Sequence, residues 1–177
     1  MSFRRGGPRP MARGIADGFV FLVLLVLVAV VARLAGLLDL GAGGYAAVDG
    51  DSLRRDGADI RLYGIDAPEL HQSCSDRNGR DYPCGHQARD ALRSLIARGE
   101  VTCTAVDGDR YGRAVALCRA GDLDLAGEMV RRGFAIAYRR HSLDYIDEEA
   151  EARRATRGLW EGHFENPEVW RQSHAGR

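Results

Sequence analysis

The sequence predicts an α+β fold in which a small, five-stranded β-barrel is accompanied by about three packed α-helices. Short apolar runs separated by Asp-Gly turns begin the domain, and a second hairpin pattern occupies residues 101–118. Helical patterns follow at 85–99, 124–133 and 142–158. A chain of 177 residues can form one domain with a substantial core, and a second full domain is not expected.

The first strands are predicted near 45–48, 51–55 and 58–66. The Asp56-Gly57 pair between the second and third is a strong signal for a two-residue hairpin turn. The runs "VTCTAV" and "RAVALC" then predict a hairpin on either side of "DGDRYG". Strands paired in hairpins, with helices inserted between and after them, are typical of a partly open barrel of the OB type.

Each predicted helix has a recognisable start, stripe or end. In the first, small or apolar side chains recur at helical spacing before Gly99. Asp124 is the expected N-cap of the second helix and Gly133 its stop. The third helix carries acids early and arginines late, which complements the helix dipole, and it is expected to end at Gly158.

Arginines precede a long apolar run near the N-terminus. The run from Gly18 to Leu40, interrupted by Arg33, is long enough to span about 30 Å of hydrocarbon. The arginines before it favour a cytoplasmic N-terminus, so we expect a single-pass anchor with the later domain outside the cytoplasm. Because the stretch from Phe19 to Ala32 is near the length of a signal peptide, secretion after cleavage is the alternative.

These patterns define the expected organisation of the chain. It consists of a basic cytoplasmic segment at 1–17, an anchor or signal segment at 18–40, a linker at 41–44, the OB-type domain at 45–162 and a C-terminal tail at 163–177.

The overall charge argues against a bulk nucleic-acid binder. The 25 basic residues, all arginines, balance 25 acidic residues. A protein without a basic surplus must bind a phosphate polymer through a few placed arginines, and its affinity should be modest and sensitive to salt.

Four cysteines are consistent with export. Cys74 and Cys84 bracket a polar loop, and Cys103 would lie opposite Cys118 in a hairpin centred between residues 110 and 111. Four cysteines allow three pairings, and four reduced thiols in a cytosolic protein are the alternative. Since the apolar segment and the even count agree, we expect disulfides between Cys74 and Cys84 and between Cys103 and Cys118.

Three short motifs are rich in carboxylates and arginines: "DGD" at 49–51, "IRLYGIDAPE" at 60–69 and "DRYGR" at 109–113. Each alone has an ordinary explanation as a turn or as an ion pair within a loop. Together they supply three carboxylates and two arginines from separate strands or loops, which favours a catalytic site.

The chemistry of the five side chains is complementary. Asp51 and Asp66 carry hard oxygen ligands, and their place in irregular loops suits the flexible coordination of Ca²⁺ better than that of Mg²⁺. Glu69 is a candidate general base that can approach a water molecule near the metal. Arg61 and Arg113 are candidates for binding a phosphodiester and stabilising its developing negative charge.

The order and spacing of these motifs resemble the staphylococcal-nuclease-like (thermonuclease) domain family from about Tyr45 to Trp160. The resemblance implies an OB-fold and a Ca²⁺-dependent phosphodiesterase that cuts DNA and RNA to leave 3′-phosphate ends. It assigns the metal to Asp51 and Asp66, catalysis to Arg61, Glu69 and Arg113, and nucleotide contacts to Tyr111 and Tyr138. Ala67 departs from the family's frequent threonine, and the loop from Leu70 to Cys84 is longer and carries cysteines.

The leading hypothesis is therefore a membrane-tethered or secreted nuclease that acts on single-stranded or flexible DNA and RNA. It is expected to be a monomer without a protein partner. The alternative is an OB-type module that binds nucleic acid or another ligand without cutting it. Three carboxylates near a polyanion argue against simple binding, because they repel it unless a cation intervenes.

Overall fold

The computed structural model describes residues 21–28, 30–31 and 44–174. The chain divides into two compact units, Met1–Leu40 and Gly41–Arg177.

The described part of the first unit is helical, at residues 21–28 and 30–31. Within the residues that the structure describes, we find no helix with the length and apolar character needed to span a bilayer. The remainder of the predicted anchor at 18–40 and the basic segment at 1–17 lie outside the described residues, so the anchor stays a prediction.

The second unit alternates short strands with helices. In chain order its elements are β1 (Tyr45–Ala47), β2 (Ser52–Arg55), β3 (Ala58–Leu62), β4 (Ile65–Asp66), β5 (Cys74–Ser75), β6 (Asp81–Tyr82), α1 (Cys84–Ile96), β7 (Val101–Gly108), β8 (Ala114–Ala120), β9 (Leu123–Asp124), α2 (Leu125–Arg131), β10 (Ile136–Ala137), α3 (Ile146–Arg154), a 3₁₀ turn (Gly158–Glu161) and α4 (Pro167–His174). The fold is therefore α+β, which confirms the predicted class.

The main sheet is mixed rather than purely antiparallel. Its strand order is β1-β2-β3-β8-β7, and β9 pairs with β8. Strand β3 runs parallel to β8, with Arg61 opposite Val115, while the other neighbours are antiparallel. This pairing brings the motif that contains Arg61 next to the end of the "DRYGR" turn.

Barrel closure is not observed, which corrects the predicted five-stranded barrel. Among the described strands, β4 leaves the main sheet and pairs with β10 instead, with Asp66 opposite Ile136. Strands β1 and β7 therefore remain the two edges of an open sheet. The reason is that β4 is only two residues long and turns away immediately after β3.

Both predicted disulfides are present. Cys103 and Cys118 face each other across the β7–β8 hairpin, and their Cα atoms are 4.1 Å apart. Cys74 and Cys84 join strand β5 to the start of α1. The second bridge closes the polar loop that follows Glu69, so it belongs to the surroundings of the candidate site.

The helices cover the sheet with the faces that the sequence predicts. Helix α1 buries Ala88, Leu92 and Leu95, and α2 is capped by Asp124, whose side chain accepts a hydrogen bond from the Ala126 N–H. These side chains pack with Leu53 and other buried residues of the sheet in one core. A buried leucine side chain contributes about 2 kcal/mol, so this core dominates the stability of the domain. The segment 163–177, predicted as a tail, contains the additional helix α4.

Candidate active site

Two buried carboxylates and one arginine form the centre of the site. Arg61 on β3 donates from Nη1 to Asp51 Oδ1 at 3.1 Å and from Nη2 to Asp66 Oδ1 at 2.8 Å. Asp51 precedes β2 directly and Asp66 ends β4, so three consecutive strands deliver the three side chains. Arg61 is opposite Ser52 in the β2–β3 register, so Asp51, which precedes Ser52, lies within reach of the Arg61 guanidinium.

The Asp51 carboxylate is held by the loop that follows Asp66. The Ala67 N–H donates to Asp51 Oδ2 at 3.1 Å, and Ser52 Oγ donates to Oδ1 at 3.0 Å. Gly50 permits this close approach, since a Cβ there would lie 2.6 Å from the Cβ of Ala67 and 2.7 Å from that of Ala88. The glycine of "DGD" therefore has a packing role beside the metal candidate Asp51.

The two carboxylates repel each other. Burial, followed by the negative charge of Asp51, raises the pKa of Asp66 to about 6, although Arg171 and Arg61 act in the opposite direction. Burial and the charge of Asp51 also raise the pKa of Asp49 to about 7. Burial and the crowding of carboxylates therefore disfavour the ionised forms of Asp66 and Asp49, and a nearby cation would stabilise those ionised forms.

Glu69 is positioned by its backbone. Its N–H donates to Gln72 Oε1 at 3.2 Å, and the Gln72 N–H donates to the Glu69 carbonyl at 2.8 Å. Helix α1 packs so closely that a Cβ on Gly85 would lie 1.8 Å from the Glu69 carbonyl oxygen. The Cys74–Cys84 disulfide closes the same loop. Glu69 is thus fixed next to the buried pair while its carboxylate keeps partial exposure.

A residue that sequence analysis did not identify completes the cluster. Arg171 of α4 donates from Nη1 to Glu69 Oε1 at 2.7 Å, and its Nη2 lies 3.0 Å from both carboxylate oxygens of Asp66. The start of α4 can be recognised in the sequence, because Asn166 caps the helix through the Glu168 N–H and Pro167 occupies the first turn. No sequence pattern indicates that this helix packs over the site.

Gln72 is the second residue that sequence analysis missed. Its side chain is fully buried, and its Nε2 donates to the Glu165 carbonyl at 2.7 Å while its Oε1 accepts from Glu69. Gln72 therefore connects the Glu69 loop to the segment that leads into α4. In sequence, Gln72 is an ordinary polar residue of a loop. Its burial depends on Glu165, which lies 93 residues later in the chain.

Arg113 and the two tyrosines lie outside this network of contacts. Arg113 donates from Nε to Asp109 Oδ2 at 2.7 Å within its own turn. Tyr111 is 71% exposed, with the guanidinium of Arg113 5.8 Å from its ring centre. Tyr138 follows β10, and its N–H donates to the carbonyl of Gly64 in the β3–β4 turn at 2.9 Å. The structure thus brings Asp51, Arg61, Asp66 and Glu69 together, whereas Arg113 and Tyr111 lie in the β7–β8 turn and Tyr138 follows β10.

The site offers oxygen donors of the kind that Ca²⁺ accepts, but these residues alone do not complete a coordination shell. Among the residues that the structure describes, no group of three or more histidine, cysteine, aspartate or glutamate side chains is arranged to hold a metal ion. Asp51 and Asp66 form a buried pair of hard oxygen donors, and Ca²⁺ accepts water and phosphate oxygens for its remaining positions. The pair therefore fits the ion, provided that other ligands complete its shell.

The domain is an open mixed sheet that carries a buried carboxylate pair, a bridging arginine and a nearby glutamate. This combination is suited to binding a cation together with a phosphate. The family model described as Staphylococcal nuclease homologue matches residues 59–162. The chain belongs to this family.

Three relatives illustrate the similarity. Succinoglycan biosynthesis protein ExoI of Rhizobium meliloti (strain 1021) is 32% identical over 146 residues, which cover 78% of this chain and 76% of the relative. A protein named as an uncharacterized endonuclease of Escherichia coli O157:H7 is 36% identical over 132 residues, or 70% and 80% of the two chains. The Micrococcal nuclease of Shigella flexneri is 33% identical over 144 residues, or 71% and 77%.

Proposed function

We propose that this protein is a Ca²⁺-dependent nuclease that hydrolyses phosphodiester bonds of DNA and RNA and leaves 3′-phosphate ends. The observation that carries this proposal is the single guanidinium of Arg61 within 3.1 Å of two buried carboxylates, with Glu69 three residues after the second. Relatives that are named endonuclease and micrococcal nuclease support a nucleic-acid substrate.

Asp51 and Asp66 are the residues that would hold the metal. Bound Ca²⁺ would offset their mutual repulsion and attract the substrate phosphate. Ala67 keeps the geometry of this pair through its N–H to Asp51, so an alanine is compatible with the role of this position.

Glu69 is the proposed general base. It would accept a proton from a water molecule whose oxygen forms a bond to phosphorus, while the bond from phosphorus to the 5′ oxygen breaks. The departing 5′ oxygen takes a proton from solvent, and the phosphate remains on the 3′ side. Arg171 donates to Glu69 Oε1, so opening of that ion pair would free both carboxylate oxygens for the water molecule.

Arg61 and Arg113 would bind the phosphate oxygens as negative charge grows on them. Both are ion-paired to aspartates, Arg61 to Asp51 and Asp66 and Arg113 to Asp109. A phosphate can therefore exchange with a carboxylate as a partner for each guanidinium. Tyr111, in the turn between β7 and β8, and Tyr138, directly after β10, are the proposed nucleotide contacts.

The proposal places the domain outside the cytoplasm as a monomer, tethered through residues 18–40 or released after cleavage. The two disulfides support an oxidising compartment. Membrane fractionation together with thiol alkylation tests this point. A soluble cytoplasmic protein with four reactive thiols would contradict it.

Analysis of the cleavage products tests the reaction itself. A single-stranded oligonucleotide is incubated with the purified chain and Ca²⁺, with chelator as the control. We expect fragments that DNA polymerase extends only after phosphatase treatment, because a 3′-phosphate blocks extension. Fragments that are extended directly would contradict the proposed position of cleavage, and full activity in chelator would remove the metal from the mechanism.

A further inference from the structure

The C-terminal helix α4 inserts a cation among the catalytic carboxylates. The Arg171 guanidinium contacts Asp66 at 3.0 Å and Glu69 at 2.7 Å, across 105 and 102 residues of sequence. One nitrogen faces the predicted metal ligand and another faces the predicted base. Arg171 is therefore bonded to Asp66, which the proposed reaction requires as a metal ligand, and to Glu69, which it requires as a base.

Helix α4 is attached mainly by polar contacts. Of its residues, Pro167 is the buried one. Its polar attachments to the rest of the described domain include the ion pair between Glu168 and Arg140, the two contacts of Arg171, and the Gln72 bond to Glu165 just before the helix. A segment with little buried apolar surface opens at low free-energy cost, so a competing charge can displace it.

The charges of the cluster favour such a competition. With Arg171 in place, three carboxylates face two guanidinium groups, Arg61 and Arg171. Without Arg171, Asp51, Asp66 and Glu69 face Arg61 alone, which leaves an excess of two negative charges when all three are ionised, before any charge on the neighbouring Asp49 is counted. A divalent cation can offset this excess. A dication next to two guanidinium groups on Asp66 would be repelled.

We propose that Arg171 is an internal cation of the active site, which holds Asp66 and Glu69 until a divalent metal ion takes its place. The proposal rests on the proposed function, because it assumes that Asp66 binds metal and that Glu69 must be free to act. It makes Arg171 a positioning residue, and it makes the resting affinity for metal lower than the carboxylates alone would give.

Calcium binding to the full chain, purified in mild detergent, tests this proposal without nucleic acid. Isothermal titration calorimetry with Ca²⁺ compares the parent with Arg171→Ala, Arg171→Lys and the control Arg77→Ala. Arg77 forms an exposed ion pair with Glu161, so its removal changes the net charge equally without freeing Asp66 or Glu69. All variants are checked for cooperative thermal unfolding.

We expect Arg171→Ala to bind Ca²⁺ about tenfold more tightly than the parent, since the ion pairs of Arg171 with the buried Asp66 and the partly exposed Glu69 no longer compete. Arg171→Lys, which keeps the charge but loses the fork, should lie between the two, and Arg77→Ala should match the parent. Equal or weaker binding by Arg171→Ala, or equal tightening by Arg77→Ala, would overturn the proposal. Cleavage measured on the same samples separates this failure from that of the proposed function: a parent that cuts nucleic acid while Arg171→Ala shows no tightening refutes the internal cation alone.

Discussion

Nη2 of Arg61 lies 2.8 Å from Asp66 Oδ1 and 3.0 Å from Asp51 Oδ2. One side chain therefore keeps two buried carboxylates together, and it is also the group that we propose to bind the substrate phosphate. The contribution of Arg61 to stability can be separated from its contribution to cleavage, because different substitutions affect the two.

We expect Arg61→Ala to lose both functions. Removing one partner of a buried ion pair typically costs about 3 kcal/mol in the free energy of unfolding, because it leaves the other charges unpaired. The cleavage rate should fall about 10² to 10³ fold through loss of transition-state stabilisation. Arg61→Lys should recover most of the stability but little of the rate, since lysine lacks the fork. Chemical denaturation and single-turnover cleavage measure the two effects, and a lysine variant with full activity would contradict the phosphate role.

Gly85→Ala is expected to damage the site through the backbone of Glu69. The added Cβ would lie 1.8 Å from the Glu69 carbonyl oxygen, so the loop must move. We predict a loss of about 2 kcal/mol or more in the free energy of unfolding and a marked fall in cleavage rate. Gly108→Ala is the matched control, because nothing lies within 4 Å of its added Cβ. Equal behaviour of the two variants would contradict the proposed support of Glu69.

The Cys103–Cys118 bridge should contribute stability rather than chemistry. Replacing both cysteines by serine opens a loop with a sequence separation of 15, which we expect to cost on the order of 3 kcal/mol. The catalytic rate at a temperature where the variant is folded should remain near that of the parent. Removing the Cys74–Cys84 bridge should instead lower the rate, since that bridge closes the loop after Glu69. Urea unfolding and cleavage assays decide, and the reverse pattern would be inconsistent with the structure.

In chelator, the free energy of unfolding should fall as pH rises from about 4 to about 7. Asp66 and Asp49 have pKa values of about 6 and about 7 in the folded domain, above their usual 3.8, so folding takes up protons and ionisation is unfavourable. The stabilisation from the protonated Asp66 and Asp49 is complete below about pH 4. Glu149, whose pKa lies below its usual 4.5, changes the free energy of unfolding only in that lower range. Asp66→Asn should flatten the decline. A rise in stability across this window would contradict the raised pKa values that burial, followed by the charge of Asp51, gives to Asp66 and Asp49.

Local features of the fold and the site could be predicted from sequence, and distant ones could not. Asp51, Arg61 and Asp66 lie on consecutive strands, so a short turn and the alternation of a hairpin are enough to place them together. The Cys103 and Cys118 pair follows in the same way from the register of one hairpin. These contacts depend on residues close in the chain.

The errors arise where the contact partners are remote. Strand β4 pairs with β10, about 70 residues later, so the barrel remains open, and no periodicity within β4 indicates that partner. Arg171 reaches Asp66 and Glu69 across more than 100 residues, and its helix presents an ordinary polar surface in sequence. Only the assembled domain shows that this arginine occupies the site.

The most direct test of the account compares cleavage and binding for the parent and Glu69→Gln, in the full chain with Ca²⁺ and single-stranded DNA. The amide keeps the shape of the side chain but cannot accept the proton, so the turnover rate should fall about 10² to 10⁴ fold. Binding should be unchanged or tighter, because one negative charge near the phosphate is lost. The account predicts a cleaving parent and a variant that binds DNA but scarcely cuts it. A parent that binds DNA yet shows no cleavage from neutral to alkaline pH would contradict the nuclease and leave a binding module.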